Sequence, residues 1–320
     1  MFAKCPPDVL LAVFDGLDAR SLVNASLVCS SWTAMAQRVL VRQVSVTSPK
    51  AHELITRLAP SEFVRSLQIE YASPLPRILH SLPRFSNLRH LDISFPGFSS
   101  IDDPALLTLA PPMIESLRTA NRAPVVVAFI SAWPTLRFLD ATLRSAYSDT
   151  LPPPAKNAFY EIRWRVNPFA DNDMSDFFWA ANNSTHSLRI LDLTKLPSVD
   201  HFDHFMQSHP HLHSLRLLLL PTEYIPSLSH LSSLLEFVVV EQLTPLLFHH
   251  LSPTIQHLSF CAPFPDNFIH SLSAYPDLRQ LTIHEVESIP NDIITYCKLR
   301  NIVIYTHPAQ PPISPTTVRL

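Results

Sequence analysis

Leu188-Arg189-Ile190-Leu191-Asp192-Leu193 and Leu212-His213-Ser214-Leu215-Arg216-Leu217 place leucine at relative positions 1, 4 and 6. Positions 4 and 6 share one face of an extended chain, because side chains alternate with period two. Working outward, the same pattern recurs as Val64-Leu67-Ile69, Leu88-Leu91-Ile93, Ile255-Leu258-Phe260 and Leu278-Leu281-Ile283. Weaker copies are Val41-Val44-Val46, Ile114-Leu117, Leu136-Leu139-Ala141, Phe159-Ile162-Trp164, Leu235-Val238-Val240 and Leu299-Ile302-Ile304. Taking position 4 as the anchor, successive anchors lie 20 to 29 residues apart. Their mean spacing of about 23.5 falls within the range of a short solenoid repeat.

Between the anchors, apolar residues return at helical spacing in Ala51–Leu58, Pro76–Leu82, Pro104–Leu109, Val125–Ala132, Ser175–Ala181, Phe202–Ser208, Leu243–His250, Asn267–Ala274 and Asn291–Cys297. Each unit therefore reads strand, turn, helix. One unit cannot bury both its apolar faces, but stacked neighbours can. Over residues 43–306 the chain resembles the leucine-rich-repeat family in about eleven to twelve divergent repeats. The resemblance implies an α/β solenoid with parallel strands on a concave face and helices on a convex one. It departs from the family where an asparagine normally follows the strand. Pro96, Leu196, Leu220, Pro263, Val286 and His307 stand there, and only Asn167 fits.

Composition agrees with a repeat and excludes much else. The 320 residues include 2 glycines, Gly16 and Gly97, against 31 prolines, whereas average usage is about 7% and about 5%. Phosphate-binding loops, dinucleotide fingerprints and nucleophile elbows need glycine where backbone approaches phosphate or turns sharply. Kinase, GTPase, Rossmann and α/β-hydrolase chemistry are thereby disfavoured. Pro112, Pro134, Pro210, Pro253 and Pro276 each stand two residues before a strand, where proline ends a helix without removing a central ladder donor. A net charge of −3 offers no basic field for nucleic acid. No run of 18 apolar residues suggests a membrane span. The start, Met1 to Pro7, does not read as a signal peptide. Cys5, Cys29, Cys261 and Cys297 form no CxxC pair, so free thiols in cytoplasm or nucleus are expected.

Ahead of the repeats, residues 1–42 read as three short helices. Pro7 suits a first helical turn, and Val9, Leu10, Val13, Phe14 and Leu17 follow at spacings of three and four. Asp18 or Ser21 is placed to cap the next helix, from Leu22 to Val28, and a third carries Trp32. The module has more apolar surface than forty residues can bury. A cap over the first repeat is one use for it.

Here the chain resembles an F-box, whose pattern runs Leu-Pro-x-Glu-apolar-Leu, an apolar-Phe pair, Leu, Leu, then Val-Cys-x-x-Trp. Pro6, Asp8, Val9, Leu10, Val13, Phe14, Leu17, Leu22, Val28, Cys29 and Trp32 stand in register, with Cys5 for the leading leucine and Asp8 for the glutamate. The resemblance implies docking on a Skp-type adaptor and, through it, cullin and RING subunits of an SCF-type ubiquitin ligase. Pro6, Val9, Leu10, Val13, Phe14, Leu17, Leu22, Val28 and Trp32 would form the adaptor site, and the repeats would hold a target protein. Catalysis, nucleic acid, membrane, cofactor and metal are not expected. Alternatives are a repeat scaffold without a ligase role, or a hydrolase or metal enzyme using the cluster His201, His204, His209, His211 and His213.

Position 5 of the repeats points to the expected concave face and reads Gln68, Asp92, Arg118, Asp140, Arg163, Asp192, Arg216, Val239, Ser259, Thr282, Val303. Alternating charges from Asp92 to Arg216 predict a ladder across neighbouring strands. The last repeats lack it. Phe237, Val239, His257, Ser259, Thr282, His284, Val303 and Tyr305 predict an uncharged floor with aromatics, as at the centre of a protein interface. Ser145–Asn157, with its three prolines, reads as an enlarged loop, and residues 307–320 as a disordered proline-rich tail.

Overall fold

The computed structural model describes residues 6–46, 53, 61–69, 79–94, 113–145, 151–169 and 173–307. The helix expected at Pro104–Leu109, that at Ala51–Leu58 apart from residue 53, residues 76–78 of Pro76–Leu82, Pro112 and the tail beyond His307 lie outside the described residues. The chain divides into two units, Met1–Asn157 and Ala158–Leu320.

The first unit opens on α1 (Pro7–Asp15), α2 (Ala19–Ser26) and α3 (Ser30–Leu40). Pro7 sits in the first turn of α1, and the Ser21 amide donates to the Asp18 carboxylate at the start of α2 (2.7 Å). Phe14, Leu22, Ala25 and Ala36 form the module core, with Trp32, Met35, Val39 and Leu40 packed against it. The Phe14 and Trp32 rings meet edge to face at 5.3 Å, an arrangement that aligns ring edge with ring face. An Arg42–Asp15 ion pair joins the module to the first strand, and the Arg38 guanidinium lies 4.9 Å over the Phe63 ring.

Strands β1 (Gln43–Val46), β2 (Ser66–Ile69), β3 (His90–Ile93), β4 (Ser116–Asn121) and β5 (Phe138–Leu143) then pair in parallel, in sequence order. The anchors fall in register: Val44, Leu67, Leu91, Leu117 and Leu139 stand side by side. Helix α4 (Ala123–Ala132) covers the buried face with Val126, Phe129 and Ile130. Phe129 stacks on Trp133 at 5.0 Å.

The second unit repeats the plan through β6 (Glu161–Arg165), α5 (Ser175–Ala181), β7 (Ile190–Leu193), α6 (Val199–Ser208) and β8 (Ser214–Leu217). It continues as β9 (Glu236–Gln242), β10 (His257–Cys261), α7 (Phe268–Leu272), β11 (Gln280–His284), α8 (Asn291–Arg300) and β12 (Val303–His307), again parallel and in sequence order. Parallel strands returning through helices, one repeat per strand, are the leucine-rich-repeat fold. Two return segments are 3₁₀ helices, Thr222–His230 and Pro245–His249. The first contains Pro226, which lacks the donor that an α-helical ladder needs there.

Two anchors differ from the expected ones. Phe237, not Val238, pairs with Leu215 and Leu258. Ile304, not Ile302, pairs with Leu281. The residues 151–157 carry no regular structure, as expected of the enlarged loop.

At the strand exits, Asn121 donates to Ile93 O (3.1 Å) and Thr194 to Val166 O (2.7 Å), while the strand entries close on backbone. In the first unit the Arg42 carbonyl accepts from the amides of Arg65 and Ser66. Arg65 accepts from Arg89 and His90, and Arg89 from Glu115 and Ser116. In the second, Arg189 accepts from His213 and Ser214, and His213 from Leu235 and Glu236. Each carbonyl uses both lone pairs on the next repeat, so no particular side chain is required. Hydroxyls one residue before the strand motif add a second stitch. Thr135 donates to Ile114 O, Ser187 to Phe159 O and Thr254 to Leu234 O, all at 2.8 Å. Where backbone turns left-handed, Met174, Asn267, Glu285 and Asn301 occupy φ of 56–63°, positions that glycine usually fills.

Candidate functional site

The helical module presents an apolar surface. Val9, Val13, Leu17, Val23, Leu27 and Val28 are exposed, Val13 at 55% and Leu27 at 80%. Pro6 is also exposed and Trp32 half-buried. Three of the residues assigned to the adaptor site from sequence lie elsewhere: Leu10, Phe14 and Leu22 are buried, each by 90% or more, inside the module. Their role is to hold α1 and α2 so that the outer residues face solvent together. Val23 and Leu27 were missed. Their four-residue separation puts them on one helical face, opposite the core pair Leu22 and Ala25, which is the signal that could have found them.

The open faces of the sheets carry the polar residues. In the first unit, Arg118 lies 4.0 Å from Asp92 and 3.7 Å from Asp140, the expected charge ladder. In the second unit the ladder takes a different course. Asp192 pairs with Arg165 at 3.3 Å, and Arg163 pairs with Glu161 on its own strand.

Arg216 donates to Glu236 from Nη2 (2.9 Å) and Nε (3.2 Å). Ser214 bonds the same carboxylate oxygen. Glu236 Oε1 accepts from His257 Nδ1 at 2.9 Å. In the neutral tautomer this leaves His257 Nε2 as an acceptor, 2.9 Å from Thr282 Oγ1 and 3.2 Å from Gln280 Nε2. The His257 hydrogen bond, with those of Ser214 and Arg216, holds the Glu236 carboxyl down at about 2 despite burial. Alongside, His284 Nε2 lies 3.0 Å from Ser259 Oγ, and its ring stacks on His307 at 4.9 Å. Burial, with His307 beside it, holds the His284 imidazole below its ordinary value.

This corrects the expected uncharged floor. Phe237 and Val239 are not on the open face; both are buried in the core, 0% and 2% exposed, because the strand register sits one residue earlier than expected. That shift brings Glu236 outward, a charged residue the sequence pattern had not placed there. Ser259 and Thr282 do face outward but are covered by His284 and His257. His257 and His284 are half-buried, and Val303 and Tyr305 are exposed, as expected.

His201 and His204 are exposed on α6, with His201 Nδ1 2.9 Å from Ser198 Oγ. Among the described residues, no group of three or more His, Cys, Asp or Glu converges to hold a metal. None of the described helices is long and apolar enough to cross a membrane. Cys29, Cys261 and Cys297 are free thiols.

A family model described as F-box-like matches residues 2–47. No curated protein matches the sequence significantly. Similar solved structures include an internalin (inlF) of Listeria monocytogenes str. 4b F2365, 14% identical, covering 95% of this chain and 89% of that one with a TM-score of 0.44. A leucine-rich-repeat protein of Leptospira interrogans is also 14% identical, covering 84% and 79%, with a TM-score of 0.38. The F-box-like match covers the helical module, and the leucine-rich-repeat fold described above follows it. An F-box-like domain is in general a non-catalytic interaction module, and the family match indicates no catalytic family.

Proposed function

We propose that this chain is the substrate-recognition subunit of an SCF-type ubiquitin ligase in the cytoplasm or nucleus. The F-box-like module docks on a Skp-type adaptor, and through it on cullin and RING subunits, while the repeats hold a target protein. The chain performs no chemistry itself; it raises the local concentration of target near a ubiquitin-loaded enzyme. The observation that carries this reading is the exposed set Val9, Val13, Leu17, Val23, Leu27 and Val28 on the F-box-like module. Apolar side chains concentrated on so small a module mark an interaction surface. For the target, Val303 and Tyr305 on the exposed edge strand, beside His284, are the favoured contacts.

Affinity purification of the full chain from cells tests this. The wild type should recover adaptor and cullin, and Val13→Asp with Val28→Asp should lose both while staying folded. Recovery of adaptor without cullin would instead favour a repeat scaffold with no ligase role. Leu10 and Phe14 are unsuitable for the test, since charge there would unfold the module that displays the surface.

A further inference from the structure

Where the helical module meets the first strands, a cavity of about 490 Å³ opens, within the size range of small-molecule sites. Leu17, Val39 and Leu40 of the module give it an apolar side. Arg42, Gln43, Arg65, Ser66 and His90 of the first repeats line the other.

The repeat sets out that polar side in rows. The Arg42 carbonyl accepts from the amides of Arg65 and Ser66, and the Arg65 carbonyl from those of Arg89 and His90. Three arginines therefore stand at three successive strand entries, one interstrand step of about 4.8 Å apart. Like charges so placed repel. The outer two are neutralised, Arg42 by Asp15 and Arg89 by Glu115 at 2.9 Å. Arg65, between them, is exposed and has neither an ion pair nor a side-chain hydrogen bond among the described residues. One residue further on, Gln43, Ser66 and His90 are partners in the strand register. Their side chains also make no hydrogen bond among the described residues. Asp15 lines the same cavity, but its charge is met by Arg42. The cavity thus holds one uncompensated cation amid a row of free donors.

We propose that this cavity binds a small organic phosphate monoester, with the phosphate on Arg65 and the apolar body against Leu17, Val39 and Leu40. The planar guanidinium fork matches two phosphate oxygens. The Ser66 hydroxyl and one His90 ring N–H, present even in the neutral imidazole, serve the remaining oxygen. A phosphate monoester offers three terminal oxygens where a carboxylate offers two, so it uses this row of donors more fully. Its charge also relieves the repulsion along the arginine row.

Calorimetric titration of the full chain with phenyl phosphate, benzoate and inorganic phosphate, in a phosphate-free buffer, provides the test. Phenyl phosphate should bind saturably and about tenfold more tightly than either other probe. Arg65→Met should weaken that binding about tenfold or more, as loss of charge-assisted hydrogen bonds implies. Gln43→Glu keeps the size of an exposed residue and adds a negative charge to the cavity, and it should weaken binding as much. This second variant keeps the test decisive if Arg65→Met folds poorly. No saturable binding of phenyl phosphate, binding of benzoate or inorganic phosphate as tight as that of phenyl phosphate, or undiminished binding by Gln43→Glu or by folded Arg65→Met would each overturn the proposal.

Discussion

Glu236 shows how much one residue's register decides. Its carboxylate joins Ser214, Arg216 and His257 across three strands. Its folded pKa is depressed from 4.5 to about 2, so the unfolded chain binds the proton more tightly. The stability it contributes is therefore complete above about pH 4.5 and lost as pH falls toward 2. Glu236→Gln should cost roughly 2 kcal/mol at neutral pH and flatten acid unfolding in that window. Denaturant melts between pH 2 and 7 read both effects; an unchanged acid limb would remove Glu236 from the network.

Its neighbour divides core from surface. Phe237→Ala should cost about 3–5 kcal/mol, whereas Tyr305→Ala, at an exposed site, should stay within about 0.5 kcal/mol. Equal costs in chemical denaturation would contradict the register. Glycine scarcity leaves a further mark. Glu285 sits at φ 56°, so Glu285→Gly should stabilise by roughly 1 kcal/mol, read as a raised melting temperature.

At the scale of elements, the strand motif was readable because leucine spacing and strand alternation agree from Leu67 to Leu215. It was ambiguous where apolar residues run together. In Leu234-Leu235-Glu236-Phe237-Val238-Val239-Val240, two frames satisfy the same pattern. Glu236 was the available discriminator, because the wrong frame turns its carboxylate toward the core. At Leu299 the periodic signal belonged to α8 instead, and that leucine is 80% exposed on the helix. The 3₁₀ segment Thr222–His230 was missed because Pro226 breaks the helical pattern.

The strand entries were opaque for a different reason: their closing bonds are carbonyl to amide and leave no signature in side chains. Where side chains do stitch repeats, mutation can weigh them. Tyr275 donates its hydroxyl to Phe248 O at 2.8 Å, and burial pushes that phenol's pKa up. Tyr275→Phe and Thr254→Val should each cost about 1 kcal/mol. Because the two bonds lie in different stitches, their costs should add in the double variant. A double variant as stable as either single one would show that the stitches do not hold the repeats.

At the scale of the whole molecule, exposed apolar side chains gather on the helical module and polar ones on the strand faces. Residues 6–40 bury Phe14, Leu22 and Ala36 to hold three helices, and leave six large apolar side chains outside among the described residues. The strands bury their anchors and turn polar residues outward. Both modules were legible in sequence, since Val28-Cys29-Ser30-Ser31-Trp32 and the leucine spacing are local signals. Which apolar residues are core and which are surface was not, because spacing on a short helix does not say which stripe finds a partner. The central claim is that the outer stripe binds an adaptor. Calorimetric titration of the purified full chain with a Skp-type adaptor tests it most directly. Saturable one-to-one binding is expected for the wild type, with at least a hundredfold loss, roughly 3 kcal/mol, for Val13→Asp at unchanged helical content. Equal affinity of the two proteins, or no binding by the wild type, would contradict it.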